Sequence, residues 1–301
     1  MSLWAITMIK IKTGLFDVMN ISLLILLLMV FIYPFLYMIS VSISDTFAIA
    51  RGEVMLYPVG FQLNAYKAVF RNTTIWRGYM NSFIYAGLGT ILTIIICSLP
   101  AYVLTVKEFK YKRIFTTFFV ITMFFSGGII PLFLVIRNLK LLDTMWSIVI
   151  PPALSAWSII LFRTNFKQIP DSLTEAAKID GANHIWVYAR VIIPLSKAIL
   201  AVVAIYSFVG YWNSYFPALM YLTSADKQPL MIVLRKFVVV GNFRGEMEVT
   251  LNELGEKQDG IGLQRSIKMA IVLVSILPVI TIYPFLQKYF ISGFMIGGVK
   301  E

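Results

Sequence analysis

Six apolar runs, each close to the length of a bilayer crossing, dominate this chain: 16–39, 81–106, 114–136, 145–162, 198–222 and 267–290. A hydrocarbon core of about 30 Å takes roughly 20 apolar residues at ~1.5 Å of rise each. The fourth run is the shortest and is interrupted by Pro151 and Pro152. Of the 301 residues 59% are hydrophobic and 14% charged, whereas soluble domains carry about 25% charge. The formal net charge of +11 does not indicate a nucleic-acid binder, because the basic residues sit in short links between apolar runs. One cysteine, Cys97, and one histidine, His184, exclude disulfide frameworks, thiolate metal sites and clusters of catalytic histidines. The chain reads as an all-α, multi-span membrane protein.

The first run is too long for the apolar core of a cleavable signal peptide, and no A-x-A-like site follows it. Lys10 and Lys12 precede it, and Lys107, Lys110, Lys112 and Arg113 crowd the link between the second and third runs. The link between the third and fourth has only Arg137 and Lys140 with Asp143. By the positive-inside rule both termini, the 107–113 link and the 163–197 loop are expected in the cytoplasm, with outer loops at 42–80 and 223–266. The whole of 1–301 is expected to form a single transmembrane domain.

No Asp, Glu, His, Lys or Arg lies near the middle of any run, although ion-coupled carriers need such groups despite their cost of about 2.5–3.5 kcal/mol each. The G-x-x-x-x-G-K-[ST] phosphate loop is also missing, as are zinc-protease, serine-hydrolase and paired-carboxylate patterns. Uphill movement of a solute by this chain would need energy from another subunit.

The 163–197 loop is the most informative segment. Pro170 and Asp171 end the preceding helix, and Ser172-x-x-Glu175 fits a capping box. Leu173, Ala176, Ala177 and Asp180 fall at helical spacing, and Gly181 supplies a stop. A helix of about eight residues is too short to persist alone in water, so it must dock. One reading is an interfacial amphipathic hairpin that links two spans. The run Glu175-Ala176-Ala177, Gly181, Val191, Ile193, Pro194 resembles the cytoplasmic signature of the permease subunits of ATP-binding-cassette (ABC) importers, with Val191 and Ile193 replacing the usual Ile and Leu.

This resemblance implies a type I ABC importer permease fold of six transmembrane helices with a cytoplasmic coupling helix. It implies that Glu175 makes a polar contact with a separate ATPase, that Ala176 and Ala177 permit close approach, and that Gly181 makes the turn, with Asp180 and Pro194 in the same coupling loop. His184 is read as a structural or contact residue. The similarity runs from about Asn64 to the C-terminus. Gly210-Tyr211-Trp212-Asn213-Ser214-Tyr215-Phe216 resembles a segment of the maltose-type sugar permeases. The tail Gly297-Gly298-Val299-Lys300 resembles the ending that inserts between their two ATPases; a frayed terminus is the alternative. Phe125-Ser126-Gly127-Gly128-Ile129-Ile130-Pro131 and the Asn138–Trp146 run, with Leu141, Leu142 and Asp143, resemble a branch often called LplC-like or YtcP-like. That branch handles aldouronate, rhamnogalacturonan or alginate fragments.

Sugars are held by aromatic faces and by amide or hydroxyl groups. Tyr206, Gly210, Asn213 and Pro217 recur at i, i+4, i+7 and i+11 of the fifth run, a polar and kinkable stripe. Asn213 either lines a pathway or makes an interhelical hydrogen bond. Trp212 and Tyr215 either edge the same cavity or fill the core. Ser126-Gly127-Gly128 with Pro131 suggests a hinge or a packed small-residue interface, and Ser155, Trp157, Ser158 and Tyr85 are further pathway candidates.

The resemblance implies import of oligosaccharides, from uronate-containing polysaccharides, by alternating access; a permease for peptides or an ion-coupled carrier are the rivals. The implied partners are a second homologous permease, two ATPase subunits and an extracellular or periplasmic sugar-binding protein; the 223–266 loop either docks that protein or is a plain solvated loop. The chain itself is expected to catalyse nothing and to bind no metal or cofactor, with ATP and Mg on the ATPase. Multi-pass placement in the bacterial cytoplasmic membrane completes the expectation.

Overall fold

The computed structural model describes residues 15–240 and 260–297, and the described part is helical. In chain order the helices are α1 (Leu15–Ser42), α2 (Thr46–Ala50), α3 (Asn64–Arg71), α4 (Thr73–Val103), α5 (Lys112–Phe124), α6 (Ile129–Asn138), α7 (Trp146–Ala153) and α8 (Ala156–Phe166). They continue with α9 (Asp171–Ile179), α10 (His184–Leu195), α11 (Lys197–Trp212), α12 (Phe216–Tyr221), α13 (Leu230–Val238) and α14 (Gly260–Gly297). Among the described residues three helices are long and apolar enough to cross a membrane alone, and three bent pairs bring the candidate spans to as many as six.

The third and fourth spans bend beside the glycines and prolines noted in the sequence, and the fifth run is divided as well. The third span breaks between Phe124 and Ile129, where its halves meet at 112°. Gly127 and Gly128 supply no side chain to hold a helical turn there, and Pro131 lies in the first turn of the second half. Leu154 and Ser155 interrupt the fourth span with a 45° bend, immediately after Pro151 and Pro152. The fifth run divides into α11 and α12 at Asn213–Tyr215, and Ser196 sets an 82° bend between α10 and α11. The middle of α10, Tyr188–Ile192, is wound as a π-helix, a geometry frequent at functional positions. The loop expected at 42–80 holds α2, α3 and the first turns of α4. That expected at 223–266 holds α13 and the start of α14, with 241–259 outside the described residues.

Close contacts divide the chain into two units. The first comprises residues up to Val69 and Val249–Leu273. Its α1 is apolar on every side and exposes its apolar core completely within this chain, as a helix facing lipid or a neighbouring subunit must. At its end, Val41, Ala48, Ile49 and Val54 form a small core against Tyr37 and Met269. Asp45 anchors the following loop: its carboxylate accepts from Ala48 N at 3.3 Å and from Gln62 Nε2 at 2.7 Å.

The second unit, Phe70–Glu248 and Val274 onward, holds both candidate sites. In it α7, α8, α11 and α13 pack directly on α4. Gly89 of α4 lets the Tyr211 ring of α11 lie against the helix backbone, where a Cβ would collide with it. Tyr211 Oη then donates to Val149 O at 2.9 Å, so one aromatic ties three helices. Beside it Trp212 is buried among Tyr79, Phe83 and Phe208, with centroids 5.4, 5.0 and 5.9 Å away. Its indole N–H donates to Ser275 O at 3.3 Å.

Candidate functional site: a polar groove and a coupling face

A groove of about 770 Å³ runs along α11, bounded by Thr93 of α4, by Pro152, Ser155, Trp157 and Ser158 at the fourth-span break, and by Tyr206, Ser207, Gly210, Tyr211 and Asn213–Pro217. Its polar lining consists of hydroxyl and amide groups with no charged side chain. Tyr206 stands exposed and packs edge-on against Trp157, with centroids 5.3 Å apart. Asn213 caps the end of α11 and is exposed to the groove. The helix stops there, and irregular backbone is tolerated at membrane depth only where it lines a cavity or is covered by protein. Tyr215 borders the groove and carries the Arg235 guanidinium over its ring at 5.8 Å, a cation–π arrangement.

Tyr206, Asn213 and Tyr215 therefore share one groove with Ser155, Trp157 and Ser158. Trp212 does not join them: rotated to the far side of α11, it fills the aromatic core. Tyr85 is also absent from the lining; it is buried, and its hydroxyl donates to Lys227 O at 2.8 Å. Ser126 lies exposed at the third-span break, where its hydroxyl accepts from Gly128 N at 3.2 Å. Thr93, Ser207 and Ser214 are lining residues the sequence reading passed over. Ser207, Tyr211 and Ser214 follow helical spacing, a second polar stripe beside the one recognised; Thr93 comes from another span and had no local signal.

Asn81, Ser82 and Tyr85 hold the chain entering α13. Asn81 Nδ2 donates to Asp226 O at 2.7 Å and Gln228 O at 3.1 Å, while Leu230 N donates to Ser82 Oγ at 2.9 Å. Asp143 completes this clasp from a left-handed backbone position, φ 56°. Its carboxylate accepts from the amides of Thr223 (3.0 Å) and Ser224 (2.9 Å), from Ser224 Oγ (2.5 Å) and from Lys227 Nζ (2.9 Å). The Ser224 hydroxyl first, then Lys227, hold the carboxyl well below the usual carboxylate range. A depressed folded pKa gives stabilisation that is complete above the unfolded value of about 3.9 and fades only as pH falls through the folded one. Amide protection factors across 222–228, each corrected for the intrinsic exchange rate at its pH, should therefore be the same at pH 5 and pH 8. Asp143→Asn, whose amide nitrogen cannot accept from Ser224 or Lys227, should lower them at both; unchanged factors would show that the clasp is not held by charge.

At the opposite end of α4, α9 and α10 form the segment expected to couple. Its helix begins at Asp171 with Pro170 as N-cap and no capping side chain, so the expected box of Ser172 and Glu175 is not made. Glu175 instead reaches Lys107, 3.0 Å away, which also pairs with Asp171 at 2.9 Å; Lys178 pairs with Glu108 at 2.6 Å. Hydrogen bonds from Lys107 to Asp171 and then Glu175 push its pKa up to about 12, and Lys178 lowers that of Glu108. These exposed pairs orient the helix more than they stabilise it.

Gly181, at φ 84°, closes α9 with its own N–H on Lys178 O and the Ala182 N–H on Ala177 O, the paired bonds of a Schellman stop. Ala177 faces inward, in a core with Tyr102, Phe166 and Val187, so its small size serves this chain's own packing. Ala176 and Asp180 face outward. Behind the helix, Tyr102 Oη lies 3.3 Å from His184 Nδ1, and the Ser98 and Tyr188 hydroxyls are 2.6 Å apart, joining α10 to α4. Pro194 is exposed in the last turn of α10. Gly297 ends α14, while Gly298, Val299 and Lys300 lie outside the described residues. Among the described residues no group of three His, Cys, Asp or Glu could hold a metal ion.

Comparison with known proteins agrees with this architecture. The chain is 36% identical over 295 residues to Protein LplC of Bacillus subtilis, covering 98% of each chain. It is 33% identical over 289 residues to the polygalacturonan/rhamnogalacturonan transport system permease protein YtcP of the same organism, covering 96% of this chain and 99% of that one. A solved bacterial ABC transporter involved in import of the acidic polysaccharide alginate contains a chain that superposes with a TM-score of 0.86 at 34% identity, over 96% of this chain and 100% of that one. Residues 73–295 match the model of the binding-protein-dependent transport system inner membrane component. The chain belongs to that family, the multi-pass, non-catalytic permease subunits of ABC importers, which work with a partner permease, a binding protein and a separate ATPase.

Proposed function

We propose that this chain translocates oligosaccharides released from acidic, uronate-containing polysaccharides, with the groove along α11 as its part of the path. The observation that carries this reading is the chemistry of that groove: aromatic faces at Trp157, Tyr206 and Tyr215 among hydroxyls and the Asn213 amide, without a lining charge. Stacking and neutral hydrogen bonds suit sugar rings, whereas a peptide carrier would need counter-charges for termini. Arg235, seated on Tyr215, brings one cation to the rim for a uronate carboxylate. The names of YtcP and of the alginate transporter point the same way.

In this reading the whole chain is one permease domain that pairs with a second, different permease and two ATPase subunits, with both termini and α9 in the cytoplasm. A binding protein delivers the sugar from outside, against the 223–266 segment. ATP and Mg act on the ATPases; their closure pulls α9 through contacts at Ala176, Glu175 and Asp180 and turns the cavity outward. The 298–300 tail is a second ATPase contact.

The test uses the assembled complex in proteoliposomes, with ATPase activity and uptake measured for an oligogalacturonide-loaded and a peptide-loaded binding protein. The oligogalacturonide should stimulate both. Asn213→Ala should reduce uptake roughly 5- to 30-fold, the loss of a hydrogen bond or two at about 1 kcal/mol each. Stimulation by peptide alone, or full uptake by the variant, would overturn the reading.

A further inference from the structure

We propose that a phosphate-bearing anion, supplied by the headgroup of an anionic phospholipid, binds in the pocket between the start of α5 and the end of α8. This rests on the reading above only in placing that end of the molecule at the cytoplasmic leaflet. The pocket encloses about 260 Å³ and is lined by Lys112, Arg113, Thr116, Thr117, Arg163 and Lys167 together with Leu104 and Thr105. It is just below the size range of pockets for drug-sized ligands, which fits a headgroup.

Its charge is one-sided. Four cations and three hydroxyls line it, and no acid does. None of the four has an ion-pair partner among the described residues. The acids of the adjoining groove, Asp171, Glu175 and Glu108, are already engaged by Lys107 and Lys178. The Nε–H of Arg163 is buried and donates to nothing, and a buried donor without an acceptor is costly. A phosphate oxygen would satisfy it, with the planar guanidinium offering a second, parallel N–H. The N-terminus of α5 adds to the field, since no side chain caps it.

The surroundings favour a lipid over a free anion. From the pocket's edge α5 continues with Ile114, Phe115 and Phe118, all exposed in this chain, an apolar surface for acyl chains. Basic residues next to a span attract anionic lipid at about 1 kcal/mol each. Lys167 also lines the groove beside α9, so an occupied site braces the coupling segment.

The experiment is native mass spectrometry of the assembled complex released from nanodiscs of phosphatidylcholine containing a minority of phosphatidylglycerol. Wild type should retain phosphatidylglycerol selectively. Arg163→Gln with Lys167→Gln should reduce its retention about 30-fold, the equivalent of about 2 kcal/mol for two lost cations. The exposed Arg113→Gln, which disturbs no packing, should weaken retention in the same direction. Equal retention by wild type and both variants would overturn the proposal. A phosphate adduct formed from inorganic phosphate in pure phosphatidylcholine discs, and removed by the same variants, would overturn the lipid as occupant. Oligosaccharide-stimulated ATPase activity is measured in parallel. Its failure with lipid retention intact counts against the transport reading and not against this site.

Discussion

Leucine in place of Gly89 is expected to destabilise the permease by about 3 kcal/mol or more, at or beyond the usual cost of overpacking, and to leave little folded protein. The Tyr211 ring occupies the space any side chain at 89 would need. It cannot swing away cheaply, because its hydroxyl is bonded to Val149 O at 2.9 Å and lies 3.3 Å from Thr93 Oγ1. Displacing it would leave its own buried hydroxyl unpaired and take a donor from the Val149 carbonyl of α7. Gly87, two residues earlier, meets nothing within 4 Å in this chain, so Gly87→Leu should stay within about 0.5 kcal/mol of wild type. Thermal midpoints of the chain in detergent, followed by size-exclusion, separate the two. Comparable midpoints for both variants would mean that α4 and α11 do not cross this closely.

Ala176→Leu and Ala177→Leu should fail in opposite ways, although the residues are adjacent. Ala177 is buried against Tyr102, Phe166 and Val187, so the larger side chain must lift α9 from the body of the permease and lower its thermal midpoint. Ala176 is exposed, so leucine there should leave the permease unchanged. It should instead weaken capture of the ATPase at least tenfold, about 1.4 kcal/mol, and uncouple transport. Co-purification of the ATPase with each variant, alongside the midpoint of the permease alone, reads both effects. An Ala176→Leu complex that keeps its ATPase and its full transport rate would remove α9 from the coupling role.

The membrane class was legible in the sequence because runs without charge have few alternatives in lipid. The stop at Gly181 was equally legible, since a helix end that needs positive φ selects glycine locally. The start of the same helix was misread. Ser172 and Glu175 have capping-box spacing, but Pro170 holds the N-cap and Glu175 is drawn to Lys107, 68 positions away. The Asn138–Trp146 run could be recognised as a family resemblance without disclosing its work. Asp143 becomes a clasp only once residues 223–227 arrive from the far side of the fifth span. Trp212 and Asn213 show the same limit at closer range. Neighbouring residues on a helix point about 100° apart, and only the positions of α4 and α14 decide that the tryptophan enters the core and the asparagine the groove.

Local chemistry thus determined the apolar runs, the stop of α9 at Gly181 and the polar and aromatic residue types along α11. These follow from hydropathy, φ preference and side-chain functional groups, which are properties of short stretches. Where the spans break, which stripe of α11 faces the groove and which alanine of α9 faces outward were decided by tertiary structure. Each depends on contacts between residues distant in sequence, and helical periodicity fixes the spacing of a stripe but not the direction it faces.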